Sequence, residues 1–153
     1  MTAGSQASSS GLYAALTFHH ARLEACGRHV LSMLSLEGPE SAATSFGPWR
    51  RALDAQLEAE ETFLLPRLER ANPRTSQTIH DHHARLRTAT DRVARSLEGL
   101  SSDERPLQEL LDLLSQHCHR EETELYRWAE TAIDETDSRA VIHKIESGEL
   151  GEK

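Results

Sequence analysis

The chain has 153 residues, of which 17 are Lys or Arg and 25 are Asp or Glu, so its formal net charge is −8. This length fits one domain with its own core. The acidic balance excludes the basic surface typical of proteins that bind nucleic acids or anionic membranes, and no apolar run is long enough to cross a bilayer.

The start of the chain indicates neither a targeting signal nor a disulfide scaffold. Residues 1–10 are Ser-rich, without a basic start or an apolar run, so we expect a flexible N-terminus and no secretory signal. The chain has two cysteines, Cys26 and Cys118, which cannot form a disulfide framework. We therefore expect a reducing, cytoplasmic setting.

The remaining sequence predicts an all-α domain over residues 11–132. Helix formers dominate, apolar residues recur every three or four positions, and no segment alternates as a strand does. Gly38, Pro39 and Gly47 predict a loop over 37–47, and Pro66 should bend the end of the second helix. The four helices are expected at about 11–36, 48–70, 76–97 and 102–131. A short helix and a tail should occupy 133–153.

The helices contain an internal repeat. The sequence HHARL at 19–23 recurs at 82–86, and EET at 60–62 recurs at 121–123, displaced by nearly the same distance. Each half of the chain therefore has a helix with HHARL followed by a helix with EET. We interpret this as two helical hairpins related by a pseudo-twofold axis. Short connections after the second and third helices favour an up-down antiparallel four-helix bundle.

Two carboxylates fall on otherwise apolar helix faces. Glu60 lies in the middle of the leucine stripe of the second helix, and Glu121 lies within that of the fourth. A carboxylate in a helical core is costly unless it is paired, protonated or bound to a metal. His117 precedes Glu121 by one turn, so both side chains leave one face and can meet one ion. Imidazole with carboxylate suits iron, manganese or zinc.

The histidines of the repeat are less clearly placed by periodicity. On the first helix, His19 is closer than His20 to the centre of the apolar stripe. On the third helix, His82 and His83 flank the stripe, so either could face inward. His80 lies one turn before His83 and either joins it or belongs to the surface.

The order of these motifs resembles the hemerythrin-like, HHE cation-binding family. The resemblance covers about residues 12–132 and is carried by EETFLLP at 60–66 and HCHREE at 117–122, with one histidine on each of the first and third helices. It implies a four-helix bundle with a non-haem di-iron centre between the helices. It also implies reversible dioxygen binding, or sensing of iron, oxygen or redox state.

The resemblance also implies a set of ligands. In the family, the helix-one histidine is followed three residues later by a leucine, which favours His20 and His83 over their neighbours. Glu60 and Glu121 would bridge two irons. His117 would be the ligand from the fourth helix.

One position departs from the family pattern. Gln56 stands where the family has the histidine of HxxxE, and an amide oxygen is a weak ligand for iron beside an imidazole. Gln56 itself, His80 or water would supply the missing donor, or one metal position binds weakly or not at all. Two irons are the expected cofactor, with manganese or zinc as alternatives.

Three functions remain open at this point. The first is a di-iron protein that takes dioxygen or peroxide as a small ligand, or senses iron, oxygen or redox state. The second is a peroxide-decomposing or ferroxidase-like enzyme on the same site, ranked lower because no separate acid, base or nucleophile constellation is present. The third is a metal-free bundle that acts as an interaction module. The sequence predicts no nucleic-acid or membrane partner and leaves the oligomeric state undetermined.

Overall fold

The computed structural model describes residues 11–148, which form an all-helical structure consistent with a helical bundle. No strand occurs in this range. The predicted flexible N-terminus, residues 1–10, and the end of the tail, 149–153, lie outside the described residues. The helical segments are α1 (Leu12–Glu37), α2 (Pro39–Ala59), a first π turn (Glu60–Leu64), α3 (Leu65–Ala71), α4 (Pro73–Glu98), α5 (Arg105–Glu121), a second π turn (Glu122–Tyr126), α6 (Arg127–Ala132) and α7 (Glu135–Ser147).

The predicted loop over 37–47 is wrong, because a single residue separates α1 from α2. Gly38 has a φ of 104°, in the left-handed region that favours glycine. Its N–H bonds to the carbonyls of Leu34 and Met33, which ends α1. Pro39 then lies in the first turn of α2, where a missing N–H costs nothing. Gly38 and Pro39 therefore make a turn, as predicted, but a far shorter one.

The second helix also continues through Pro48, although the sequence predicts that it starts there. Gly47 precedes this proline and has no Cβ to clash with the proline ring. Tertiary packing on both sides fixes the segment. The rings of Phe46 and Trp49 stack at 5.6 Å between centroids, and the Trp49 indole donates a 2.8 Å hydrogen bond to the carbonyl of Leu23 on α1. Packing thus outweighs the helix-breaking tendency of proline.

Two π turns widen the long helices next to the glutamates singled out above. In the first, the N–H of Leu65 bonds to the carbonyl of Glu60. Pro66 follows it, and a wider turn relieves the clash between a proline ring and the carbonyl four residues earlier. The bend predicted at Pro66 therefore takes the form of a π turn before it. The second π turn follows Glu121 without a proline nearby.

A layer of polar residues lies between two apolar clusters. The first cluster includes Leu23, Leu53, Leu86 and Leu114. The second includes Leu16, Leu64, Ile79 and Leu125. The π turns join α2 to α3 and α5 to α6, so α1, α2 with α3, α4, and α5 with α6 make four long helices. On these helices, between the two apolar clusters, lie the buried residues His20, Glu60, His83 and Glu121. As the chain proceeds, α1 and α4 pass from the second cluster to the first, whereas α2 with α3 and α5 with α6 pass from the first to the second.

Between residues 11 and 148, no helix has both the length and the apolar character that crossing a bilayer requires.

The first apolar cluster should dominate stability. Leu114 is 1% exposed and Leu36 is 82% exposed. We expect Leu114→Ala to lower the free energy of unfolding by about 2–5 kcal/mol, because it removes buried contacts and leaves a cavity. Leu36→Ala, the control, should change it by less than about 0.5 kcal/mol. Urea unfolding of both variants measures the difference, and equal effects would contradict this packing.

Candidate metal centre

The polar layer is almost completely removed from solvent. None of its members is more than 2% exposed, and the set comprises His20, Gln56, Glu60, His83, His117, Glu121 and Tyr126. Burying charged groups is costly, so a stable layer needs mutual neutralisation or a cation.

Four of these residues could hold one ion. Glu60, His83, His117 and Glu121 each offer a ligand atom, and these atoms lie within 4.8 Å of one another. His83 Nε2 is 3.0 Å from Glu60 Oε1 and 3.1 Å from Glu121 Oε2. An octahedral ion with bonds of about 2.1 Å holds adjacent ligand atoms about 3 Å apart. The spacing therefore suits a cation with nitrogen and oxygen ligands.

His117 gives an independent sign that a cation fits here. Its Nε2 lies 2.8 Å from Glu121 Oε2, but neither ring nitrogen makes a hydrogen bond within the described part of the chain, although both are buried. A buried nitrogen without a partner costs free energy. A metal ion beside Glu121 would supply the partner that Nε2 lacks.

The two buried carboxylates each face two sides. Glu60 points Oε1 toward His83 and accepts the Tyr126 hydroxyl at Oε2. Glu121 points Oε2 toward His83 and His117. Its Oε1 is 3.2 Å from His20 Nε2 and 3.0 Å from the Tyr126 hydroxyl. Each carboxylate thus presents one oxygen to the His83 side and the other to the His20 side.

A second glutamate in each EET repeat orients a histidine. Glu61 Oε2 is 2.6 Å from Nδ1 of His83, and Glu122 Oε2 is 3.1 Å from Nδ1 of His20. Arg87 holds Glu61 through two hydrogen bonds of 2.7 and 3.0 Å. Metal-binding histidines commonly use one ring nitrogen in this way, which leaves the other for the metal. Helical periodicity did not predict this role, although the repeated Glu-Glu pair was its visible signal.

The structure places the other candidate histidines differently. His20 and His83 are buried, whereas His19 and His82 are only half-buried, so the pair favoured by the family resemblance faces inward. His80 is exposed on α4 and does not join the polar layer.

Gln56 is buried, and polar side chains already occupy the space next to its amide nitrogen. Gln56 Nε2 donates a 2.9 Å hydrogen bond to the Tyr126 hydroxyl and lies 3.4 Å from Glu60 Oε2. Sequence periodicity gave no indication of Tyr126. At about 100° per residue, it should lie about 140° away from Glu121 around the helix.

Without a cation, protons neutralise the layer. Burial, followed by the charge of Glu121, raises the pKa of Glu60 to about 8. Burial lowers the pKa of His83, but hydrogen bonds with Glu121, Glu60 and Glu61 outweigh it and raise that pKa to about 11. Burial, with the charges of Glu121 and Glu60, raises the pKa of Tyr126 well above its usual range. Near neutral pH, His83 is therefore charged and Tyr126 is a neutral phenol.

The metal-free protein should lose stability as pH rises above about 6. The raised pKa of His83 favours the folded state below its unfolded value, and this contribution is lost as pH rises toward the folded pKa of about 11. The raised pKa of Glu60 acts in the same direction as pH rises toward about 8. Because an ion must displace these protons, metal affinity should increase about tenfold per pH unit for each proton released.

Urea unfolding of chelator-treated protein between about pH 6 and pH 9 tests the sign, and zinc titrations over the same range test the affinity. Stability that is constant or rises with pH in the metal-free protein would contradict the protonated cluster.

Comparison with known proteins gives one family. The family model described as Hemerythrin HHE cation binding domain matches residues 11–129, most of the chain. Searches of curated proteins and of solved structures found no match. The match spans the whole polar layer, from His20 to Tyr126, which includes the buried His and Glu cluster. The chain therefore belongs to the hemerythrin HHE cation-binding domain family.

Proposed function

We propose that the chain is a non-haem di-iron protein that binds dioxygen or peroxide, and through that binding senses oxygen or redox state. The observation that carries this proposal is the two-sided arrangement of Glu60 and Glu121: each directs one oxygen to His83 and the other to the side of the layer where His20 and Tyr126 meet. Carboxylates that directed both oxygens to the same histidines would suit a single ion. Two carboxylates that each divide their oxygens between the same two sides suit a pair of ions.

The residues divide between the two sides as follows. His83 and His117 would bind one iron, and His20 would bind the other. Glu60 and Glu121 would bridge them. Two bound irons would supply the two electrons that reduction of dioxygen to peroxide requires. The family favours iron, and manganese and zinc accept the same nitrogen and carboxylate donors.

The protein around the site restricts access and fixes orientation. Leu57 and Leu64 flank Glu60 along its helix and are 1% and 0% exposed. These apolar walls would exclude water and with it unwanted side reactions. Glu61 and Glu122 hold the two histidine rings so that each Nε2 faces the bridging carboxylates.

We also propose that the four long helices form an up-down antiparallel bundle. Successive helices cross the two apolar clusters in opposite order, which supports this topology. A reducing, cytoplasmic setting is part of the same proposal, and the free thiols of Cys26 and Cys118 fit it.

Iron analysis tests the di-iron proposal. Protein loaded with ferrous iron without oxygen and then exposed to air should retain about two irons per chain and gain a near-ultraviolet charge-transfer absorption that dithionite removes. Glu60→Gln, which keeps the shape and removes the charge, should lose at least one of the two irons. Glu69→Gln on the exposed face of α3 is the matched control and should keep both.

Other outcomes would favour the alternatives. Negligible iron in both the wild type and His117→Ala would indicate the metal-free interaction module. Catalytic consumption of peroxide by the iron-loaded wild type, absent in Glu60→Gln, would indicate the enzyme.

A further inference from the structure

The Tyr126 hydroxyl lies where the groups on the His20 side of the layer meet. It is 2.7 Å from His20 Nε2, 3.0 Å from Glu121 Oε1 and 2.9 Å from Gln56 Nε2. It also contacts Glu60 Oε2. The tyrosine is 0% exposed. A buried tyrosine is satisfied by one partner, so four polar contacts at one oxygen need a further explanation.

Two carboxylate oxygens and one histidine nitrogen surround the phenol oxygen of Tyr126. Nδ1 of His20 faces Glu122, so Nε2 is the ring nitrogen that points to this group. A phenol has one hydrogen to donate and cannot bond fully to all three neighbours. A cation among these atoms would bind all three and the phenol oxygen at once.

The distances also suit an ion. The Tyr126 oxygen, His20 Nε2 and Glu121 Oε1 form a triangle with sides of 2.7, 3.0 and 3.2 Å. An octahedral ion with bonds of about 2.1 Å has triangular faces with sides of about 3 Å. The spacing therefore matches three ligands that share one face of a coordination octahedron.

We propose that Tyr126 is a direct phenolate ligand of the iron on the His20 side, a role that rests on the di-iron function proposed above. An oxygen–iron bond replaces the phenol O–H bond, and the proton is released to solvent. Tyrosine phenolate is an established ligand of ferric iron in proteins. In this site the phenolate provides the strong ligand atom that the Gln56 amide does not supply.

Gln56 is then a positioning residue. Its amide nitrogen donates to the Tyr126 oxygen at 2.9 Å, and a donor in this place stabilises a phenolate. A histidine at position 56 would compete with Tyr126 for the same side of the layer.

The second π turn brings Tyr126 into reach. In a regular α-helix, a side chain five residues after Glu121 would point about 140° away from it. Residues 122–126 form a π turn, whose wider winding reduces that angle. Leu125 and Tyr126 are both buried as a result, and the tyrosine reaches the same layer as Glu121.

The spectroscopic test uses the fact that the chain has two tyrosines, Tyr13 and Tyr126. Air-oxidised, iron-loaded wild type should show a visible phenolate-to-iron absorption band, and resonance Raman excitation in that band should enhance tyrosine ring modes. Tyr126→Phe keeps the ring and should lose the band. Tyr13→Phe should keep it. Tyr13 lies on the outer part of α1 beside Arg127, so this variant identifies the ligand even if Tyr126→Phe folds poorly.

The outcomes separate this proposal from the one on which it rests. Wild-type protein that binds two irons without a phenolate band, or a band that survives Tyr126→Phe, would overturn the role of Tyr126 and leave the di-iron function standing. About one iron per chain without the band would overturn the role of Tyr126 together with the second iron position. Protein that binds no iron would overturn both proposals.

Discussion

The structure depends on keeping two carboxylates inside an apolar interior. Glu60 and Glu121 are both 0% exposed, and removing a carboxylate from water costs several kcal/mol even after relaxation. No single helix can supply enough compensation. The histidines come from α1, α4 and α5, and outer glutamates orient two of them, His83 and His20. The polar layer therefore fixes which faces of the long helices meet.

Protons and metal ions are interchangeable solutions to the same electrostatic problem. With no cation, His83 carries a proton between Glu60 and Glu121, and Glu60 itself holds its proton to an unusually high pKa. This would satisfy a purely structural network. His117 argues against that reading, because its two buried nitrogens find no hydrogen-bond donor or acceptor in the described residues. A purely structural hydrogen-bond network would not leave a buried imidazole without a hydrogen bond.

Periodicity predicted part of this arrangement. It placed Glu60, His117 and Glu121 on inward faces, where the structure also has them. It favoured His19, whereas His20 is the buried residue, because the buried face of α1 runs through Leu16, His20 and Leu23. It could not predict Tyr126, since a constant angle per residue has no place for a π turn. Residues 39–47 were predicted as a loop for another reason: packing of Phe46 and Trp49 keeps the helix continuous across Pro48, which propensity alone does not indicate.

Two departures from the internal repeat make the two sides of the polar layer different. His20 corresponds to His83, and Glu60 corresponds to Glu121, but Gln56 of the first half corresponds to His117 of the second. In the same alignment, Tyr126 corresponds to the apolar Leu65. The two departures from symmetry meet in space, because the Gln56 amide donates to the Tyr126 hydroxyl. The first hairpin thus lacks a histidine ligand at Gln56, and the second hairpin contributes the Tyr126 oxygen to the same side of the layer. The His83 side would keep two neutral imidazoles, while the His20 side would combine one imidazole with an anionic oxygen, so the two positions would favour different charges on the ions they hold.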